Sequence, residues 1–233
     1  MQPDLPKQPP IEVAENDLGK AELQFAASVV APLFWIMRNS RTGQEQIKNG
    51  TIFFLDTGTK LFAVTAGHVI QECLYDTRSP MFVQSMIGTN GGPAIGIHLG
   101  DRVIDGSTEL DIATFRVTRD EIRRTNCTPL TGFQRNWPPP LAEVGYLVTL
   151  CGFPGIGRQW LAPRTISFGA IPLGYKVASV HKTAISIQLD REELIRVLGT
   201  EEMPENFDFG EMSGGPVLVI SQRGSLRDGF PLG

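Results

Sequence analysis

The sequence predicts an all-β protein built in two halves. Three observations carry that expectation. Glycine (25 residues) and proline (17 residues) are abundant, against usual shares of about 7% and about 5%, so the chain is heavily punctuated. Its apolar residues fall in short β-type runs separated by turn chemistry, with few long helical periods. A single proline-rich break, Arg135-Asn-Trp-Pro-Pro-Pro140, stops any regular element past the middle of the chain.

The elements follow in order. Residues 1–20 are polar and proline-rich and read as a flexible tail. From Phe25 onward the pattern becomes β-like, with runs at Ala27–Met37, Thr51–Leu55 and Leu61–Thr65. Asp56-Thr-Gly-Thr-Lys60 between the last two is turn chemistry, which makes them a hairpin. Further runs lie at Met81–Ile87, Ala94–Leu99 and Ile112–Val117. Thr118, with Glu121 three residues later, caps one or two helical turns ending near Thr125. After the linker at 135–142, strands resume at Val144–Cys151, Thr165–Leu173, Tyr175–Leu189 and Val217–Ile220. Asp190–Gly199 reads as a helix, capped by Asp190 and stopped by Gly199. The halves are therefore expected at 21–134 and 143–233.

Bulk properties narrow the function classes. The 233 residues suit one large or two small domains. With 41% hydrophobic and 20% charged residues and a mean hydropathy of −0.05, a disordered or fibrous chain is excluded. A net charge of −4 gives no footprint for nucleic acid or an anionic membrane surface. Cys73, Cys127 and Cys151 are odd in number and widely spaced, which suggests neither a disulfide framework nor a zinc site. The first ten residues carry acid and proline without an apolar stretch, unlike a secretory signal. A cytoplasmic protein is expected.

Four segments belong together chemically. Gly50-Thr-Ile-Phe-Phe54 leads into Phe62-Ala-Val-Thr-Ala-Gly-His68. Leu110-Asp111-Ile-Ala follows, then Gly152-Phe-Pro-Gly155, and finally Gly210-Glu-Met-Ser213-Gly-Gly-Pro-Val217. A serine hydroxyl is a weak nucleophile at neutral pH and needs an adjacent base. Histidine can take its proton and return it to a leaving amine, and a carboxylate on the other ring nitrogen fixes the tautomer. Asp105 and Glu109 are alternatives to Asp111 for that carboxylate. His98 and His181 read as structural, and Cys151 lacks a matching histidine. Arg119, Arg123 and Arg124 alternate with Asp120 and Glu121 as a solvated helix face.

With these motifs the chain resembles the trypsin/chymotrypsin-like serine peptidases, more the bacterial intracellular-type peptidase domain than the digestive zymogens. The resemblance runs from about Gly50 to the last residue, anchored on Thr65-Ala-Gly-His68 and Ser213-Gly-Gly-Pro216. The order His, Asp, Ser is that of the chymotrypsin template. The resemblance implies two six-stranded-type antiparallel β-barrels and a serine endopeptidase acting through an acyl-enzyme. His68 would be the general base, Asp111 its orienting carboxylate and Ser213 the nucleophile. The substrate would be a polypeptide, and no metal or organic cofactor is implied.

Three departures from that family qualify the expectation. The oxyanion hole would use the backbone N–H groups of Ser213 and of Glu211, where the family usually has glycine; if the turn needs positive φ at Glu211, it is strained there. Such a hole is expected to be malformed at rest and completed by substrate or a regulatory protein partner. Met212 replaces the aspartate that receives a newly cut N-terminus in digestive relatives, so no zymogen step of that kind is expected. Gln222–Gly229 reads as a loop and Phe230–Gly233 as the start of a further strand, which leaves the second barrel incomplete at its C-terminal end. The base of the specificity pocket falls at Phe207, beside Asp208. Phe207 inward rejects Arg and Lys, Asp208 inward accepts them, and small or apolar side chains are the favoured expectation. The rival reading is a protease-fold binding or regulatory module with impaired catalysis.

Overall fold

The computed structural model describes residues 17–131, 142–162, 165–187, 212–223 and 226–232. It is mostly β, with antiparallel sheets and few helices. Strands β1 (Val30–Arg38), β2 (Glu45–Asp56), β3 (Leu61–Ala66), β4 (Phe82–Ile87), β5 (Ile95–Ile97), β6 (Val103–Ser107) and β7 (Ile112–Arg116) form a strongly curled half-barrel sheet. Its order is β5-β4-β1-β2-β3-β7-β6, and the short β8 (Leu130–Thr131) joins β2 in parallel. A smaller antiparallel sheet follows the order β13-β12-β9-β14-β15. It comprises β9 (Leu147–Gly152), β12 (Ile171–Val180), β13 (Ile185–Ile187), β14 (Val217–Arg223) and β15 (Leu226–Leu232). Strands β10 (Arg158–Ala162) and β11 (Thr165–Phe168) form a separate hairpin.

The first sheet curls around an apolar core. Trp35, Phe54, Phe115, Leu33, Ile52 and Ile87 are essentially inaccessible to solvent, and burying a side chain of this kind contributes about 1.5–3 kcal/mol. A second cluster, Val148, Leu173, Tyr175, Val177 and Val219, fills the smaller sheet, with Met212 and Val217 packed against it. A third joins the two sheets: Val29, Val30 and Leu130 meet Cys151, Phe153 and Leu218. Phe168 extends this seam, its ring 4.9 Å from Phe34 and 6.5 Å from Phe153.

Several sequence expectations match. The hairpin of β2 and β3 turns at 56–60, where Thr57 N–H donates to the Lys60 carbonyl and Gly58 N–H to Asp56 Oδ1. Helix α3 (Arg119–Thr125) opens with a full capping box between Thr118 and Glu121 and closes on Asn126 in the left-handed region.

Others are corrected. A helix, α1 (Asp17–Ser28), occupies the end of the expected tail and the start of the run placed at Ala27–Met37. Its sequence is rich in helix formers (Ala, Leu, Glu, Gln), and Ala26 is fully buried in the seam between the sheets. The run Thr165–Leu173 is two strands, broken where Gly169 N–H donates to the Gly157 carbonyl. The run Tyr175–Leu189 is likewise β12 and β13, divided by a turn in which His181 N–H bonds the Ala184 carbonyl. Strands β6 and β10 were not expected, because both are largely exposed and lack an apolar period. The loop expected at Gln222–Gly229 is instead part of the β14–β15 hairpin, with Val217 opposite Leu232. The β14–β15 ladder continues through polar residues that composition assigns to a loop, with Ser221 opposite Asp228 and Gln222 opposite Arg227. Of the linker expected at 135–142, residues 135–141 lie outside the described residues, as does the helix expected at 190–199. No helix among the described residues is long and apolar enough to cross a membrane.

Helix α2 (Gly67–Asp76) is secured at its far end. Asp76, buried, accepts from Trp35 Nε1 at 2.8 Å and pairs with Lys48 Nζ at 2.9 Å, while Lys48 also reaches Glu72 at 2.8 Å. Partial burial alone would lower the Lys48 pKa. The hydrogen bonds to Glu72 and Asp76 outweigh it and hold the ammonium above its usual value. Replacing Asp76 by Ala strips the acceptor from a buried indole N–H, a loss of about 1–3 kcal/mol in urea unfolding. Asp76→Asn keeps an acceptor and should cost less.

Glu121 supplies a pH signature. Burial alone would raise its pKa; hydrogen bonds from the Thr118 backbone, Arg102 and the Thr118 hydroxyl prevail and lower it. A depressed carboxylate stabilises the fold above its unfolded pKa of about 4.3. That contribution is lost as pH falls from there through the folded value. Stability measured against pH should therefore fall less steeply below about pH 4.3 in Glu121→Gln than in the parent chain.

Candidate active site

Helix α2 begins one residue before His68, and this start is capped from another strand. The residue preceding the helix, Ala66, offers no side-chain cap, so the first backbone N–H groups need another acceptor. Asp111 supplies it: Gly67 N–H donates to the Asp111 carbonyl and His68 N–H to Asp111 Oδ1, both at 2.8 Å. The other carboxylate oxygen, Oδ2, lies 2.6 Å from His68 Nδ1. An ionised carboxylate only accepts, so Nδ1 carries a proton, and in the neutral ring the lone pair is then the one on Nε2. The capping carboxylate thereby sets both the orientation of the ring and its tautomer.

Asp111 reaches this position with a left-handed backbone, φ 51°. Aspartate tolerates that region better than most residues, at a cost of about 1–2 kcal/mol. The turn from Ser107 to Asp111 delivers the carboxylate to the end of β7, beside the end of β3. Gly67 permits the approach: a Cβ there would stand 3.1 Å from Asp111 Oδ1, closer than side chains normally pack. The alternatives for this role are not on the ring. Asp105 Oδ1 accepts from Gly106 N–H within β6, and Glu109 is exposed. The His68 and Asp111 side chains are 52% and 51% exposed, which leaves them open to a macromolecular ligand.

The Ser213 turn is fixed between the two sheets. On one side Met212 packs into the core of the smaller sheet. On the other, Thr51 N–H donates to the Ser213 carbonyl at 2.9 Å. Gly214, at φ 93°, fits into the gap where β2 and β3 part; a Cβ there would collide with the Thr51 carbonyl, Thr65 Oγ1 and Ala66 N. Ser213 is thus next to a residue that touches Thr65 and Ala66, just ahead of His68. Among the described residues no hydrogen bond joins Ser213 Oγ to the His68 ring. Such bonds are often long before substrate is bound.

Residues that sequence reasoning left in the background hold this arrangement. Thr51, fully buried, accepts from Phe153 N–H on Oγ1 at 3.0 Å and from Thr65 Oγ1 on its carbonyl at 2.7 Å. Asn49 Nδ2 donates to the Phe153 carbonyl and Arg158 Nη1 to Asn49 Oδ1. The Gly152-Phe-Pro-Gly155 motif therefore serves as a cross-link between the sheets. The signal was present in β2, where the polar Asn49 and Thr51 stand just ahead of the apolar run Ile52-Phe-Phe-Leu55 and are buried with it.

Glu211, Phe207 and Asp208 lie outside the described residues. His98 is exposed ahead of a short 3₁₀ turn, and His181 Nε2 contacts Ser179 Oγ at 3.1 Å. No group of three or more His, Cys, Asp or Glu suited to a metal occurs among the described residues. Neither a scan of protein-family models nor a search of curated proteins finds a match to this chain.

Cys151 is a poor nucleophile in this setting. Burial pushes its thiol to about 12, as it does for Cys73, where Asp76 and Glu72 add to the effect. At pH 7.5 iodoacetamide should leave both unmodified in the native protein and alkylate them readily in urea, as read by mass spectrometry.

Proposed function

We propose that this chain is a serine endopeptidase of the trypsin/chymotrypsin-like type. The observation that carries the reading is Asp111 binding both the backbone and Nδ1 of His68, with the Ser213 turn docked against the residues just before that histidine. In this reading the half-barrel and the smaller sheet correspond to the two barrels, and the cleft between them takes an extended polypeptide.

Ser213 Oγ attacks the peptide carbonyl as His68 Nε2 takes its proton. Asp111 stabilises the imidazolium through Nδ1 without itself becoming protonated. The oxyanion is met by the Ser213 N–H and, as the family resemblance implies, by that of Glu211. Collapse of the tetrahedral intermediate transfers the proton from His68 to the departing amine and leaves an acyl-serine. Water attacks this ester with His68 again as base, returning Ser213 and releasing the acid. A regulatory protein partner would act by completing the oxyanion hole.

A second reading is favoured by the half-exposed His68–Asp111 pair and by the lack of a hydrogen bond from Ser213 to His68. It is a protease-fold binding module with little turnover. Labelling of the folded chain with a fluorophosphonate, lost in Ser213→Ala, supports the enzyme; a folded chain that stays unlabelled favours the module. If the enzyme reading holds, Asp111→Asn, which suits the left-handed backbone, should fold normally and react about 10³–10⁴-fold more slowly.

A further inference from the structure

We propose that Thr65 and Thr51 form a positioning relay that holds the Ser213 turn in register with His68. The proposal rests on the peptidase reading and adds to it the residues that set the distance between base and nucleophile. Its basis is the continuity of one buried chain of bonds. Thr65 Oγ1 donates to the Thr51 carbonyl at 2.7 Å, and Thr51 N–H donates to the Ser213 carbonyl at 2.9 Å. Thr65 and Thr51 are almost wholly buried, so water does not substitute for either bond.

The surroundings explain why a hydroxyl is used at this point. Thr51 lies opposite Pro32 of β1, whose carbonyl accepts from Gly88 N–H on its far side, so the Thr51 N–H and carbonyl face away from β1 and toward β3. Beyond the Phe53–Val64 pair the outer edge of β2 is not joined to β3. The Thr51 N–H and carbonyl would therefore be orphaned inside the protein. The Ser213 carbonyl satisfies the first and the Thr65 hydroxyl the second. Thr65 immediately precedes Ala66-Gly67-His68, so the hydroxyl that anchors Thr51 belongs to the segment that delivers the histidine. Gly214 is seated against Thr65 Oγ1 and the Thr51 carbonyl. A change at Thr65 is felt on both sides of the gap that the proton must cross.

Neither threonine touches the reacting atoms, so both are positioning residues. The test uses the full chain and three variants, Thr65→Val, Thr65→Ser and Ser213→Ala. In Thr65→Val, amide exchange at Thr51 should speed up at least about tenfold while exchange in the centre of β1 is unchanged. The fluorophosphonate labelling rate and kcat on a peptide ester should fall about 10–100-fold with KM unchanged, as a small misplacement of reacting groups does. Thr65→Ser should restore both to within about threefold. If Thr65→Val fails to fold, Thr65→Ala makes the same comparison without the extra methyl. Unchanged Thr51 exchange, an unchanged labelling rate, or a rise in KM alone overturns the relay. A parent chain without Ser213-dependent labelling overturns the peptidase reading instead, and amide exchange then decides the relay by itself.

Discussion

The peptide and hydroxyl of Thr51 are the constraint on which the arrangement depends. Buried polar groups must be paired, and a buried peptide left unpaired costs as much as a hydrogen bond or more. At Thr51 the partners come from three distant parts of the chain: the Ser213 carbonyl, the Phe153 N–H and the Thr65 hydroxyl. The half-barrel, the smaller sheet and the turn between them therefore share one point of closure. Apolar contact across the seam supplies adhesion without direction, since Val30, Leu130 and Leu218 would tolerate some sliding. The hydrogen bonds at Thr51 and Asn49 fix the register.

A similar economy governs α2. Its N-terminal backbone is capped by Asp111 and its C-terminal Asp76 is held by Trp35 and Lys48. A ten-residue helix is marginal in water by itself, so both ends are anchored to the sheet it packs upon. The histidine sits in the first turn, where the anchoring comes from both the backbone carbonyl and the carboxylate of Asp111. Fold and chemistry use the same group there: Asp111 completes the helix and, by doing so, chooses the tautomer.

Much of this was legible in the chain. The β2–β3 hairpin followed from its turn residues, the start of α3 from Thr118 and Glu121, and the segments carrying His68, Asp111 and Ser213 from their motifs. What escaped had a physical reason in each case. Helix α1 lies where Gly19 and Phe25 blur the helical period, and its burial depends on strands more than a hundred residues later. Strands β6 and β15 are made by ladders with neighbours, and no apolar alternation announces them. The bonds of Thr51 and Thr65 were invisible because a threonine in a strand is ordinary; its meaning comes from what stands opposite it. Glu211, Phe207 and Asp208, which the family resemblance would place at an oxyanion hole and a specificity pocket, lie outside the described residues.

The bond between Thr51 and Ser213 also has a consequence in time. As the polypeptide is made from its N-terminus, the strands of the half-barrel and the His68–Asp111 pair emerge well before the segment that fills the gap between β2 and β3. Contacts so far apart in sequence are among the last to form. A nascent chain can thus hold a finished half-barrel while its cleft is still empty. The Ser213 turn arrives only when strands of both sheets are ready to receive it, so a chain caught half-folded carries the His68–Asp111 pair without the Ser213 hydroxyl.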